Sequence, residues 1–208
     1  MYLMNTNSQA DRWNAIYSDK ARKLPWINIP FPSEIETYLK ALPRNVSLLV
    51  PGCGTGEIVE KLSTDGFTQI IGTDISSKAI ERGRSNFPHL TLEPIPTEEL
   101  VNQVRFLDSF VFDWLNLHQV PASALTVYMH SIGRISKSLC IAWIYEGDAE
   151  KQPSYVHEGE IYFHNPTTIS ELLLAQNLHL KMEGGFSFTS TGDTPTQHKA
   201  IFQIYERK

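Results

Sequence analysis

Val46 to Asp74 reads VSLLVPGCGTGEIVEKLSTDGFTQIIGTD, and its spacing decides the fold. The apolar run from Val46 to Val50 has the length of a strand buried on both faces of a parallel sheet. Gly52, Gly54 and Gly56 follow at every second position. Glycine there permits a tight turn and lets backbone N–H groups approach a ligand with no Cβ in the way. Ile58, Val59 and Leu62 then recur at helical spacing. A second apolar strand, Gln69 to Thr73, ends at Asp74. An acidic residue at the tip of strand two is placed to accept hydrogen bonds from ribose hydroxyls.

The same glycines discriminate between nucleotides. A dinucleotide fingerprint needs G-x-G-x-x-G, whose third glycine falls on Glu57 when counted from Gly52 and on Val59 when counted from Gly54. The Gly-Lys-Ser/Thr of a phosphate-cradling loop is also missing. What remains is G-x-G-x-G between a strand and a helix.

On the N-terminal side, Ser8 to Tyr17 places Trp13, Ile16 and Tyr17 on one helical face after the weak capping pattern Ser8-x-x-Asp11. Lys23 to Pro32 is a proline-broken, aromatic connector. Ser33-x-x-Glu36 reads as a capping box that opens a helix with Ile35, Tyr38, Leu39 and Leu42 inward, stopped by Pro43. This leading segment is either a lid over the site or a cover for one sheet edge.

Beyond Asp74, Ser76 caps a helix with Ala79, Ile80 and Gly83 inward. His89 to Leu92 is expected as strand three, Val104 to Phe112 as strand four and Leu139 to Ile144 as strand five. Between the last two, Pro121 opens a helix burying Leu125, Tyr128, Met129, Ile132 and Ile135. A long connection, Tyr145 to Tyr162, precedes Asn165-Pro166, an N-cap with proline at the first helical position. That helix buries Ile169, Leu172 and Leu173. Leu178 to Phe188 and Ala200 to Tyr205 close the chain as a hairpin.

The expected fold is therefore α/β: a doubly wound, mostly parallel, seven-stranded Rossmann-like sheet with a C-terminal antiparallel hairpin. One domain spans 1–208, with 1–44 as helical lid or cover and 45–208 as core. Ligands of such sheets bind outside the C-terminal strand ends, where Gly52 to Gly56, Asp74, Glu93 to Ile95 and Asp113 to His118 all lie.

Composition narrows the function. With 208 residues, 41% of them hydrophobic, the chain has enough apolar material for one full core. A net charge of −5 argues against a nucleic-acid partner, and Arg12, Lys20, Arg22 and Lys23 read as a solvated face. Cys53 and Cys140 form no disulfide framework, and no metal-ligand spacing occurs. There is no leader pattern before Asn5 and no apolar run of the roughly 20 residues a bilayer needs. A cytoplasmic protein without a membrane partner is expected; the oligomeric state stays open.

G-x-G-x-G followed by Asp74 resembles the first motifs of class I S-adenosylmethionine (SAM)-dependent methyltransferases. Leu49-Val50-Pro51-Gly52-Cys53-Gly54 is similar to the thiopurine and thiol/halide methyltransferase branch of that class. So are Trp13-x-x-x-Tyr17, Leu24-Pro25-Trp26, and Asp108 to Asp113 leading through Val120-Pro121 to Tyr128. The chain departs from the class pattern at Val50, where an acid is usual, at Pro94 after Glu93, and at Arg134 to Ser138, where a glycine-rich turn is usual.

The resemblance implies SAM as cofactor. The turn Gly52, Cys53, Gly54 and Gly56 would contact its methionyl part and sugar, and Asp74 its ribose hydroxyls. Ile75 and Ile95 would sandwich the adenine, with Glu93 and Pro94 beside its amino group. Asp113 and Trp114 would line the methionine end, with Trp13, Tyr17 and Trp26 closing above. The implied reaction is in-line methyl transfer to a sulfur, oxygen or nitrogen of a small acceptor lined by Trp114, His118 and Tyr145. The protein aligns the acceptor and excludes water.

His118 and Asp113 are the candidate bases, ahead of His157 and His164. Asp113-Trp114-Leu115-Asn116 is not the Asn/Asp-Pro-Pro-aromatic motif of base methylation. A protein, peptide or RNA acceptor steered by the acidic connection (Glu146, Asp148, Glu150, Glu158 and Glu160 against Lys151) remains open, as does a non-catalytic SAM-binding regulator.

Overall fold

The computed structural model describes residues 6–19, 21–145, 154–156, 159–191 and 195–208, with the side chains of 6–8, 104, 154–156, 159 and 160 left aside. Glu146, Asp148, Glu150, Lys151, His157 and Glu158 lie outside the described residues, so the acidic connection has no structural account.

Two helices, α1 (Thr6–Ser18) and α2 (Ser33–Ala41), precede strand β1 (Ser47–Pro51). Then come α3 (Glu57–Thr64), β2 (Gln69–Thr73), α4 (Ser77–Asn86), β3 (Thr91–Glu93) and β4 (Ser109–Trp114). The chain continues with α5 (Leu125–Ile135), β5 (Ser136–Ile144), a small hairpin of β6 (Ser154–Val156) and β7 (Gly159–Ile161), and α6 (Pro166–Leu174). It ends in β8 (Leu178–Thr189) and β9 (Gln197–Arg207). The main sheet has seven strands in the order β3-β2-β1-β4-β5-β9-β8. The first five are parallel, β9 runs antiparallel to β5, and β8 runs antiparallel to β9, as the alternating pattern and terminal hairpin predict.

Alternate side chains of the central strands feed two cores. Leu48, Val50, Phe110, Phe112 and Cys140 pack against Ile35 and Leu39 of α2 and Val59 and Leu62 of α3. Leu49, Val111, Leu139, Ile141 and Trp143 face the other way, onto Met129 and Ile132 of α5 and Ile169 and Leu173 of α6. The strand period of two thus puts helices on both sheet faces.

Local signals explain several boundaries. The Ser76 hydroxyl accepts from Ala79 N–H (3.1 Å), and the Asn165 side chain from Thr167 N–H (2.8 Å). Others went differently. Helix α1 begins before Ser8, so Ser8 is not its cap. No capping box forms at Ser33: Pro32 is the N-cap, and the Ser33 hydroxyl donates to Glu34. Strand three starts later than expected, and strand four starts only at Ser109, because Val104–Phe106 forms a 3-10 turn.

No loop separates α5 from β5. The junction is held by Arg207, whose guanidinium donates to the carbonyls of Gly133 (2.6 Å), Ser136 (3.0 Å) and Gln176 (2.6 Å). That clamp stands where a glycine-rich turn is usual. Both cysteines are free, and no helix among the described residues is long and apolar enough to cross a membrane.

Candidate active site

The three glycines all adopt positive φ: +62° at Gly52, +55° at Gly54 and +92° at Gly56. Space reinforces the requirement at the first two. A Cβ on Gly52 would meet the Asn116 carboxamide at 2.2 Å, and one on Gly54 the Tyr17 hydroxyl at 2.8 Å. Gly56 does something else: it starts α3, and a Cβ there would meet Leu92 of the core at 3.0 Å.

Asp74 closes the turn from the next strand. Its carboxylate accepts from Gly54 N–H (2.9 Å) and Ser76 N–H (2.8 Å). Burial pushes its pKa up to about 6, and the two backbone bonds oppose that rise. Each oxygen keeps a lone pair for a further donor.

The N-terminal segment lies against this turn. Trp13, Tyr17 and Trp26 form one cluster with ring centroids 5.7–6.2 Å apart. Asn14 anchors α1 by accepting from the Ser76 hydroxyl (2.8 Å) and Lys78 N–H (3.1 Å) at the start of α4. Thr191 anchors the connector, donating from its N–H to the Pro25 carbonyl (2.8 Å) and from its hydroxyl to those of Leu24 and Ile27.

The end of β4 supplies the remaining wall. Asp113 is fully buried and accepts from the Tyr128 hydroxyl, which itself accepts from Asn116 Nδ2 (2.7 Å). Burial raises Asp113 to about 7 in spite of that bond. Trp114 stacks between Phe112 (5.9 Å) and Phe186 (5.4 Å). His118 is buried, and desolvation lowers it to about 3, with His198 and His164 adding to the effect. It is therefore neutral and a weak base. Among the described residues, the buried atoms Trp114 Nε1, His118 Nδ1 and Gln119 Oε1 have no hydrogen-bond partner.

These elements line one open cleft. Of the residues singled out from sequence, Gly52, Cys53, Gly54, Asp74, Ile75, Trp114 and His118 line it together with Trp13, Tyr17 and Trp26. Gly56, Glu93, Pro94, Ile95, Asp113 and Tyr145 are not among its described lining. Glu93 is turned aside by Arg105, which grips its carboxylate with two N–H groups, one at 2.9 Å. Ile95 and Tyr145 pack on the α5–α6 core instead. Asp113 sits behind the wall, reaching the cleft through Tyr128.

Among the residues not expected here from the sequence are Asn14, Glu57, Thr97, Glu98, Asn116, Gln119 and, as a site residue, Tyr128. Thr97 and Glu98 line the cleft, and Glu93 does not. Pro94 and Pro96, flanking Ile95, were the available sign that the chain travels on past strand three before turning in.

A parallel sheet bearing a left-handed glycine turn, an acidic strand tip and an aromatic-roofed cleft at its C-terminal edge defines the class I methyltransferase fold. The residues present fit SAM: a left-handed glycine turn at the end of the first strand, and a carboxylate at the tip of the second, where a ribose would be held. The sequence profile described as thiopurine S-methyltransferase matches residues 8–128, and the chain belongs to that family. It is a SAM-dependent methyltransferase.

Solved structures agree on the fold. A methyltransferase from Anabaena variabilis ATCC 29413 shares 14% identity at a TM-score of 0.75, covering 100% of this chain and 96% of its own. Magnesium protoporphyrin IX methyltransferase from Synechocystis PCC 6803, solved with bound SAM, shares 13% at 0.69, covering 99% and 98%. A structure reported for conversion of a disulfide bond into a thioacetal group during echinomycin biosynthesis shares 19% at 0.75, covering 96% and 92%. No curated protein matches the sequence.

Proposed function

We propose that the enzyme methylates the sulfur of a small-molecule thiol, with residues 1–44 acting as a lid. The observation that carries this reading is that the histidine and the two buried tyrosines on the described walls of an aromatic cleft are poor bases. His118 is held neutral with little basicity, and Tyr17 and Tyr128 are held protonated, their pKa values raised well above the usual one by burial first. Asp113 lies behind the wall and is already engaged by Tyr128. A hydroxyl or protonated amine needs a strong base, whereas a thiol, ionising near pH 8.5, reaches its nucleophilic form with little help.

When bound, SAM supplies the electrophilic methyl group. The chain supplies alignment and dryness. The turn at Gly52 and Gly54, with Asp74, orients the cofactor, Trp114 gives the acceptor an apolar edge, and Trp13, Tyr17 and Trp26 exclude water from above.

The test is to incubate the protein with SAM and a panel of small aromatic and aliphatic thiols, alcohols and amines, and to analyse the products by mass spectrometry. S-methyl products formed in equal amount with S-adenosylhomocysteine (SAH) are expected. Transfer confined to alcohols or amines would overturn the thiol reading.

A further inference from the structure

We infer that Asn116 holds the ammonium group on the methionine arm of the cofactor, with Tyr128 and Asp113 as the positioning residues behind it. This holds for any acceptor, because it rests only on the chain's being a SAM-dependent methyltransferase. Three observations put the Asn116 side chain on the cofactor side of the cleft. Its carboxamide lies against the bare Cα of Gly52, so close that a Cβ there would meet it at 2.2 Å. Leu115, just before it, has a left-handed φ of +55°, a backbone that a bulky residue holds only where its surroundings impose it. Asn116 also lines the cleft, whereas Asp113 does not.

A chain of hydrogen bonds decides which end of the amide is free. Ionised Asp113 can only accept, so it takes the single proton of the Tyr128 hydroxyl. The Tyr128 oxygen in turn accepts from Asn116 Nδ2 (2.7 Å), which commits the donor end of the amide to Tyr128. Oδ1 is left over. It has no donor among the described residues, and it is not one of the sealed, unpartnered atoms at this wall, so it is open to the cleft.

The sheet order points to the donor. Strand β1 lies between β2, whose tip carries Asp74, and β4, whose end leads into Asn116. With its ribose at Asp74, SAM extends two arms: a flat, uncharged adenine and a methionine bearing an ammonium and a carboxylate. Apolar Ile75 lies on the Asp74 side of the cleft, and polar Asn116 across the glycine turn from it. The methionine arm therefore crosses the turn, and its ammonium donates to Oδ1 in a charge-assisted bond.

Calorimetry at pH 8, above the Asp113 pKa of about 7, compares SAH with its analogue in which hydrogen replaces the α-amino group. The unaltered protein is expected to bind SAH at least tenfold more tightly than the analogue. In Asn116→Ala that ratio is expected to fall at least fivefold, through weaker binding of SAH, with affinity for the analogue changed less than threefold. Tyr128→Phe, which frees the amide to turn, is expected to lower the ratio at least twofold.

Equal affinity of the unaltered protein for the two ligands overturns the inference whether or not the variants fold, as does failure of SAH to bind. In folded Asn116→Ala, an unchanged ratio, with both ligands weakened alike, overturns the assignment to Asn116. An unchanged ratio in Tyr128→Phe overturns the positioning role of Tyr128 and Asp113.

Discussion

The Tyr17 hydroxyl occupies the space beside Gly54 that any other residue's Cβ would need, at 2.8 Å from that position. An aromatic residue from the first helix thus rests on the cofactor turn, and the glycine serves two needs at once. Its φ of +55° suits glycine, and its bare Cα lets the roof come down.

Gly54→Ala offends both needs. The left-handed backbone costs roughly 1–2 kcal/mol with a Cβ present, and Tyr17 must also move. SAH affinity measured by calorimetry is expected to fall at least tenfold, with a lower Tm. Gly66→Ala is the control: φ there is +100°, but the nearest obstacle is the Arg44 stem at 3.6 Å, away from the cleft. It should lower Tm and leave the affinity of the folded protein unchanged.

Asn14 joins the roof to α4, so Asn14→Ala is expected to cost about 1 kcal/mol, as loss of a helix cap does. Trypsin cleavage around Arg22 and Lys23 should accelerate in the variant. In the unaltered protein SAH should slow that cleavage. Equal cutting with and without SAH would show that residues 1–44 merely cover a sheet edge.

Asp74 and Asp113 make stability depend on pH in an unusual direction. Both carboxyls have folded pKa values raised from 3.8, to about 6 and about 7. Between pH 4 and 7 the folded state therefore holds more protons than the unfolded chain, and stability falls as pH rises through that window. Asp113→Asn should flatten the decline, because an amide does not ionise, while Tyr128 can still donate to its carbonyl oxygen. Melting curves at each pH check this; a decline just as steep in Asp113→Asn would refute it.

His118, with a pKa near 3, does not titrate in the working range of an assay. His118→Gln is expected to raise KM for the acceptor while leaving the shape of the kcat profile between pH 5 and 9 as it was. A limb near pH 6.5 that vanishes in the variant would restore His118 as the base.

What the sequence determined by itself is what depends on chain neighbours. The apolar runs around Leu48 and Ile70 give strands, the glycines after Pro51 give the turn, and Ser76 and Asn165 cap helices through bonds spanning two or three residues. From these the seven-stranded sheet, its C-terminal edge and the placing of Gly52, Gly54 and Asp74 at one turn there were legible, because local sterics and hydrophobic period act over a few residues. Even there, Ser33 and Glu36 carried a capping pattern that Pro32 displaced.

Tertiary structure decided the contacts between distant segments: Tyr17 on Gly54, Asn14 at Ser76, Asn116 over Gly52 and Tyr128 on Asp113. It also gave Glu93 to Arg105 and brought Glu98 to the cleft. A carboxylate's role depends on which donor reaches it first, and that is settled by where the loops after β3 and β4 come to rest against α5. No spacing within the sequence encodes that distance.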